Sequence, residues 1–283
     1  MRVGVFTDAL ADRPLAGALD WLAAEVPEVR DVEIGTGGYS AAPHAGDLTE
    51  VERRGFGLSA LNVSGNPLEA PEHDRALRET IRLAADLGVD RVVCMSGGRA
   101  ELAGAGWFPG IEEATERYWQ ERVLPYWSEV AALARAELPA LRLCLELEPG
   151  AAVFNVRTFE RVSGCGENLA VNLDPSHFFW QEIDPMAAVE SLGSRVGFAH
   201  GKDTVLHCGR VAIDGLVDRG SWRYATVGHG HDVAWWQAFV DALARSGYDG
   251  VLSIEYEDPL VPAQDSVVEA ARVLAQTIGR VHA

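Results

Sequence analysis

Long apolar runs are missing from this 283-residue chain. The longest stretch free of Asp, Glu, Lys and Arg is Gly55–Leu68, 14 residues that include polar Ser and Asn. Nothing of that length and polarity spans a bilayer. The opening Met1-Arg2-Val3-Gly4-Val5-Phe6-Thr7-Asp8 reaches an acid before a signal-peptide core can form, so a cytoplasmic location without a membrane partner is expected. Positive charge is also scarce: 24 Lys and Arg stand against 42 Asp and Glu, a net charge of −18. A phosphate backbone is therefore an unfavourable partner, and no nucleic acid is expected. The four cysteines, Cys94, Cys144, Cys165 and Cys208, include no C-x-x-C pair and read as reduced, buried thiols. There is no G-x-S-x-G and no Walker loop, so nothing points to nucleophilic hydrolysis.

What is present is ordinary globular material, 48% apolar and 23% charged, enough to commit most of the chain to a core. Apolar, β-branched runs alternate with helical patterns from end to end. The spacing predicts strands over Val3–Phe6, Asp31–Ile34, Gly57–Val63, Arg91–Met95, Leu141–Leu147, Leu169–Leu173, Val196–His200 and Val251–Ile254. Helical stretches are expected between them, including His73–Leu87, Ile111–Leu138, Val233–Arg245 and Asp265–Ile278. No linker interrupts the alternation, so residues 1–283 read as one domain. Eight strands, each followed by a helix, is the arithmetic of an α/β (β/α)₈ TIM barrel. A doubly wound sheet would carry a Gly-rich loop after its first strand, and none is there. Gly35-Thr36-Gly37-Gly38 has the wrong spacing for a phosphate cradle and reads as a tight turn.

In such a barrel the C-terminal strand ends point into a common bowl, so polar residues interrupting apolar strands there become candidates for one site. Four of the later strands carry one: Glu146 in Leu145-Glu146-Leu147-Glu148, Asp174 in Asn172-Leu173-Asp174, His200 in Ala199-His200 and Glu255 in Ile254-Glu255. Burying three acids without a counter-charge is costly, and a divalent cation removes that cost. Three carboxylates and one imidazole suit Mn²⁺, with Mg²⁺, Co²⁺ or Zn²⁺ as alternatives. Lys202 follows His200 and reads either as positive charge for a developing enolate or as the partner of Asp203 or another acid. Trp107, Trp180 and Trp222 fall in loops after strands, where a flat face can stack on a sugar ring. Asn62 and Asn66 are placed to hydrogen-bond sugar hydroxyls, with a turn-forming role equally open for Asn66-Pro67. In Gly228-His229-Gly230-His231-Asp232, Asp232 reads as a helix N-cap and the histidines as rim residues rather than ligands of a second metal.

The runs Asn172-Leu173-Asp174-Pro175-Ser176-His177, His200-Gly201-Lys202-Asp203 and Ser253-Ile254-Glu255-Tyr256-Glu257-Asp258 resemble the xylose-isomerase-like TIM-barrel superfamily, the sugar phosphate isomerases/epimerases. The likeness spans nearly the whole chain, from Glu33-Ile34-Gly35 onward. It implies Glu146, Asp174, His200 and Glu255 as ligands of one divalent metal, and His177 as a substrate-binding residue beside it. It also implies an isomerase or epimerase that removes a proton next to a carbonyl through a metal-stabilised enediolate, with Glu146 and Glu255 as acid and base. Glu148, two residues beyond Glu146, faces the same side of a strand and is a further acid or base. Two positions depart from the family pattern: Glu148 and Glu69 stand where close members often have His. Lyases and dehydratases acting on an inosose or a 3-keto-glycoside share the scaffold and the first proton abstraction, so that reading stays open. A metal- or sugar-binding protein without turnover is a third. The expected partner is a small polyhydroxylated carbonyl compound, with room for a homo-oligomer or a small partner subunit.

Overall fold

The computed structural model describes residues 1–40, 44, 46, 48–98 and 112–281. All eight expected strands are there: β1 (Arg2–Phe6), β2 (Val29–Gly37), β3 (Gly57–Val63), β4 (Arg91–Met95), β5 (Arg142–Glu146), β6 (Leu169–Leu173), β7 (Val196–Gly201) and, last in the chain, β10 (Val251–Ile254). They close into a barrel in the order β1-β10-β7-β6-β5-β4-β3-β2, and every pairing is parallel. The protein is thus an α/β single-domain TIM barrel. Among the described residues, no helix is long and apolar enough to cross a membrane.

Burial on both faces explains why the strands read as continuous apolar runs. Every residue of β6 is buried. Side chains alternate between two cores. Outward residues such as Leu143, Leu145, Val171 and Ala199 join the large cluster beneath the helices. Inward residues Ala60, Val93, Cys144, Ala170, Phe198 and Val251 form a separate plug inside the barrel. The helices cover the outer face; Trp127, Trp236 and Phe239 are fully buried on it.

Three details differ from expectation. The helical stretch expected over Ile111–Leu138 is described from Glu112 onward as two helices, Glu112–Tyr118 and Leu124–Glu137, joined by a π-helical turn over Trp119–Val123. Pro125 sits in the first turn of the second helix; it has no N–H to donate, and the ladder widens ahead of it. Ser176–Phe179 forms a four-residue helix after β6. The third is an antiparallel hairpin, β8 (Asp203–Leu206) with β9 (Trp222–Ala225), which leaves the barrel after β7 and carries the helix Cys208–Asp214 between its strands. Its strands are four residues long, too short for alternation to register. The turn expected at Gly35–Gly38 is present: Gly38 has φ +72°, and a Cβ there would collide with the Ser64 carbonyl.

Asp203 locks the hairpin to the barrel. It is fully buried, and its Oδ2 accepts from the backbone N–H groups of Gly228 (3.1 Å), Gly230 (3.0 Å) and His231 (2.9 Å) and from Trp236 Nε1 (3.3 Å). Its Oδ1 accepts from Thr204 N (2.8 Å) and lies 2.7 Å from His231 Nδ1. Asp203→Ala orphans these donors together, and each buried orphan costs roughly 1–3 kcal/mol. Denaturant unfolding of Asp203→Ala is expected to show a loss of roughly 3–5 kcal/mol. A loss below about 1 kcal/mol would mean that water or neighbouring carbonyls take over the donors.

Candidate metal centre

The barrel interior is layered by the period of two. On β5 the inward series is Cys144, Glu146, Glu148; on β6 it is Ala170, Asn172, Asp174; on β7 it is Phe198, His200, Lys202; on β10 it is Val251, Ser253, Glu255, Glu257. The first member of each series belongs to the apolar plug. The members above it are polar, so the floor of the bowl is set by Phe198, Cys144, Ala170 and Val251 and its walls by acids, amides and one imidazole. Ligand atoms of Glu146, Asp174, His200 and Glu255 come together within 4.8 Å of one another.

His200 is fully buried, and its orientation is fixed from below. Its Nε2 lies 3.1 and 3.2 Å from the two carboxylate oxygens of Glu33. Glu33 is itself fully buried and accepts from Asn62 Nδ2 (2.7 Å) and Ser253 Oγ (2.7 Å). A buried carboxylate at Nε2 favours the N–H there and leaves Nδ1 facing the other acids, 3.1 Å from Glu255 Oε2 and 3.5 Å from Glu146 Oε1. Asn172 Nδ2 is 3.2 Å from the same Nδ1.

The cation already in the bowl is Lys202, the only lysine in the sequence. It is buried, and its Nζ stands 2.6 Å from Glu255 Oε2, 3.1 Å from Asp174 Oδ2 and 3.2 Å from Glu257 Oε2, with the Tyr224 ring centroid 4.6 Å away. Burial disfavours its charge, but Asp174, Glu255 and Glu257 outweigh that and keep it an ammonium ion, its pKa well above the ordinary value. In return, the Lys202 and His200 charges hold Glu255 well below the usual carboxylate range despite its burial. Burial and the Glu255 charge push Glu146 up; contacts from His177 and His200 prevail and hold it low. At Glu148, burial and the neighbouring Glu146 charge outweigh the pull of His177 and Lys202 and push the carboxyl up to about 7.

These residues fit a divalent ion. Asp174 Oδ2 and Glu255 Oε2 are buried yet accept no well-angled hydrogen bond; what they have is the nearby charge of Lys202 on both, with His177 beside Asp174 and His200 beside Glu255. Three carboxylates around one ammonium and one imidazole leave net negative charge in a low-dielectric bowl, which a small dication would neutralise.

His177 lies beside the four, its Nε2 3.3 Å from Glu146 Oε1 and 3.5 Å from Asp174 Oδ2. Its Nδ1 is hydrogen-bonded to Tyr224 Oη at 3.0 Å. Trp180 and Trp222 stack on each other, 4.8 Å apart and 6° from parallel, and Trp222 meets Tyr224 edge-on at 5.2 Å. Trp107 lies outside the described residues. Asn62 is buried and engaged with Glu33. Asn66 exchanges side-chain hydrogen bonds with the backbone of Gly98 after β4, and its carbonyl accepts from Ala70 N at 2.9 Å in the turn that follows β3. Lys202 pairs with Asp174, Glu255 and Glu257, while Asp203 turns to the hairpin. His229 pairs with Glu269 at 2.8 Å, and His231 stacks on Phe179 at 3.8 Å; Asp232 caps its helix through Trp235 N at 2.9 Å.

Sequence reasoning assigned no role to Glu33, Asn172, Ser253, Tyr224 or Glu257. Four of them follow from the period of two once the apolar plug is known. Tyr224 had no comparable signal, because it enters from the hairpin.

The model of the xylose isomerase-like TIM barrel family matches residues 48–277. A Bacillus subtilis (strain 168) protein, uncharacterized protein YfiH, is 31% identical over 321 residues, covering 99% of this chain and 100% of that protein. Among solved structures, a probable 3-DHS dehydratase, AsbF, of Bacillus anthracis superposes with a TM-score of 0.70 at 13% identity, covering 97% of this chain and 98% of that one. An L-ribulose 3-epimerase superposes with a TM-score of 0.68 at 16% identity, covering 99% of this chain and 95% of that one. At such identities the structural likenesses establish the fold alone. The family match over most of the chain establishes the lineage: this chain belongs to the xylose isomerase-like TIM-barrel family.

Proposed function

We propose that this protein is a divalent-metal-dependent isomerase or epimerase of a sugar or keto-sugar. The observation that carries the reading is the convergence of Glu146, Asp174, His200 and Glu255 within 4.8 Å at one end of the barrel. A divalent ion held by these four would polarise a substrate carbonyl and stabilise the negative charge that develops on proton removal. Hard oxygen donors with one imidazole support Mn²⁺ first, with Mg²⁺, Co²⁺ and Zn²⁺ as alternatives.

In the barrel order, β6 and β7 separate β5 from β10, so Glu146 and Glu255 reach a bound molecule from two sides. One removes the proton next to the carbonyl and the other returns it. Lys202 supplies fixed positive charge beside Glu255 and Asp174. His177, oriented by Tyr224, positions substrate from the Glu146 side. Glu148, one strand alternation beyond Glu146, is a second acid or base, and Trp180 and Trp222 offer an aromatic wall. A lyase or dehydratase would begin with the same proton abstraction, and the likeness to a probable 3-DHS dehydratase supports that as the second reading.

Incubation with keto-sugars in deuterated water separates the two. The isomerase/epimerase reading expects deuterium at the carbon beside the carbonyl with every oxygen retained; elimination with an unsaturated product would replace it by the lyase reading. Neither event across aldoses, ketoses, inososes and 3-keto-glycosides would leave a binding protein without turnover.

Metal titration with elemental analysis is expected to give about one ion per chain, with a higher melting temperature on loading, because an ion bound only by the folded state stabilises it. Glu255→Gln removes a ligand charge and should weaken the ion's binding by roughly 100-fold or more, whereas His177→Asn should keep the ion within about 10-fold and raise KM. Equal loss of metal in both variants would place His177 among the ligands.

A further inference from the structure

The alternation that builds the bowl also runs the other way along the strands. One step below the apolar plug, the inward series places Arg2 on β1, Asp31 on β2, Arg91 on β4 and Arg142 on β5. Charged residues therefore line the N-terminal mouth of the barrel, across the plug from the proposed metal ligands. A cavity of about 490 Å³ opens there, with Phe198 and Val251 of the plug in its wall. That volume suits a small organic molecule, since such sites span roughly 300–1,000 Å³.

Three guanidinium groups meet in this cavity, and they are not equally engaged. Arg2 is spent on Asp31, with Nε 2.8 Å from Oδ2 and Nη2 3.2 Å from Oδ1. The exposed lining acid Asp249 also acts on Arg2. Arg91 donates through Nε to the Gly197 carbonyl at 3.0 Å and pairs through Nη1 with Asp90 at 2.7 Å. Arg142 donates through Nη2 to the Ser194 carbonyl at 3.0 Å, and among the described residues it forms no ion pair. Arg91 and Arg142 stand directly opposite each other in the β4–β5 pairing. Neighbouring strands are roughly 4.8 Å apart, and like charges set opposite each other are destabilising. A chain with 42 acids and 24 Lys and Arg thus holds two guanidinium groups side by side with one carboxylate, Asp90, paired to them.

We infer that this cavity is a second ligand site, for a small organic molecule bearing one phosphate or carboxylate group held by Arg142 and Arg91. A guanidinium fork matches either oxyanion with two parallel N–H donors. An oxyanion between the two arginines relieves their repulsion and takes the donors of Arg142 that no acid engages. The rest of the molecule lies against Phe198 and Val251. None of the four proposed metal ligands lines this cavity, so the inference stands apart from the reading of the bowl above it.

Calorimetry on the full chain at low ionic strength, with inorganic phosphate, glycerol 3-phosphate and malonate as probes, tests it. Glycerol 3-phosphate or malonate is expected to bind at one site with a Kd below about 1 mM, and more tightly than inorganic phosphate. Arg142→Gln should weaken that binding at least about tenfold, and Arg142→Lys, which keeps the charge and loses the fork, should fall between. Both variants are expected to melt within about 3 °C of the parent, because Arg142 holds a single surface carbonyl. If Arg142→Gln folds poorly, Arg142→Lys carries the comparison. Inorganic phosphate binding as tightly as the organic probes would overturn the organic ligand and leave a free-anion site. No binding of any probe, or equal binding by the parent and the Arg142 variants, would overturn the site itself.

Discussion

Concentrated negative charge in a buried bowl is the constraint on which the rest of this structure depends. Glu33, Glu146, Asp174 and Glu255 lie within or just above the barrel, where an unpaired carboxylate is costly. The chain answers with two fixed positive or donating groups. His200 stands between Glu33 and the upper acids, and Lys202 spans Asp174 and Glu255. Removing either leaves several acids facing one another, which makes the two interdependent rather than additive.

The scaffold makes this arrangement through simple geometry. Parallel pairing sets the strands side by side, with register shifts in the β1–β2, β2–β3 and β6–β7 pairs, and strand alternation sends every second side chain inward. A ring of Ala60, Val93, Cys144, Ala170, Phe198 and Val251 closes the lower part of the barrel. Polar residues begin one step higher, where a ligand can approach from the C-terminal face. The hairpin after β7 completes the wall, delivering Tyr224 to His177 and the Trp222 face to Trp180, while Asp203 anchors it through buried backbone donors. Consecutive residues therefore divide the labour: Lys202 serves the bowl and Asp203 holds the hairpin.

The eight barrel strands were legible because each is an apolar, β-branched run bounded by turns, and the later strand-end acids because each breaks such a run. Glu146, Asp174, His200 and Glu255 stand out in sequence for the same reason that they converge in space. Glu33 also breaks an apolar run, but it lies in the second strand, far in sequence from the later strand ends, and only barrel closure brings it to His200. Asn62 was visible at a strand end, yet sequence could not show that its amide is spent on Glu33. The hairpin was hidden because two four-residue strands separated by a helix carry no period, and with it went Tyr224. The π turn at Trp119–Val123 was hidden in an unbroken helical pattern, where only Pro125 hinted at a slip.

Anomalous diffraction from crystals loaded with Mn²⁺ tests the central claim most directly. The account predicts one strong peak enclosed by Glu146, Asp174, Nδ1 of His200 and Glu255, with Glu33 still holding Nε2 from below. A bowl that binds no ion while Lys202 keeps its place between Asp174 and Glu255, or an ion bound elsewhere, would contradict it.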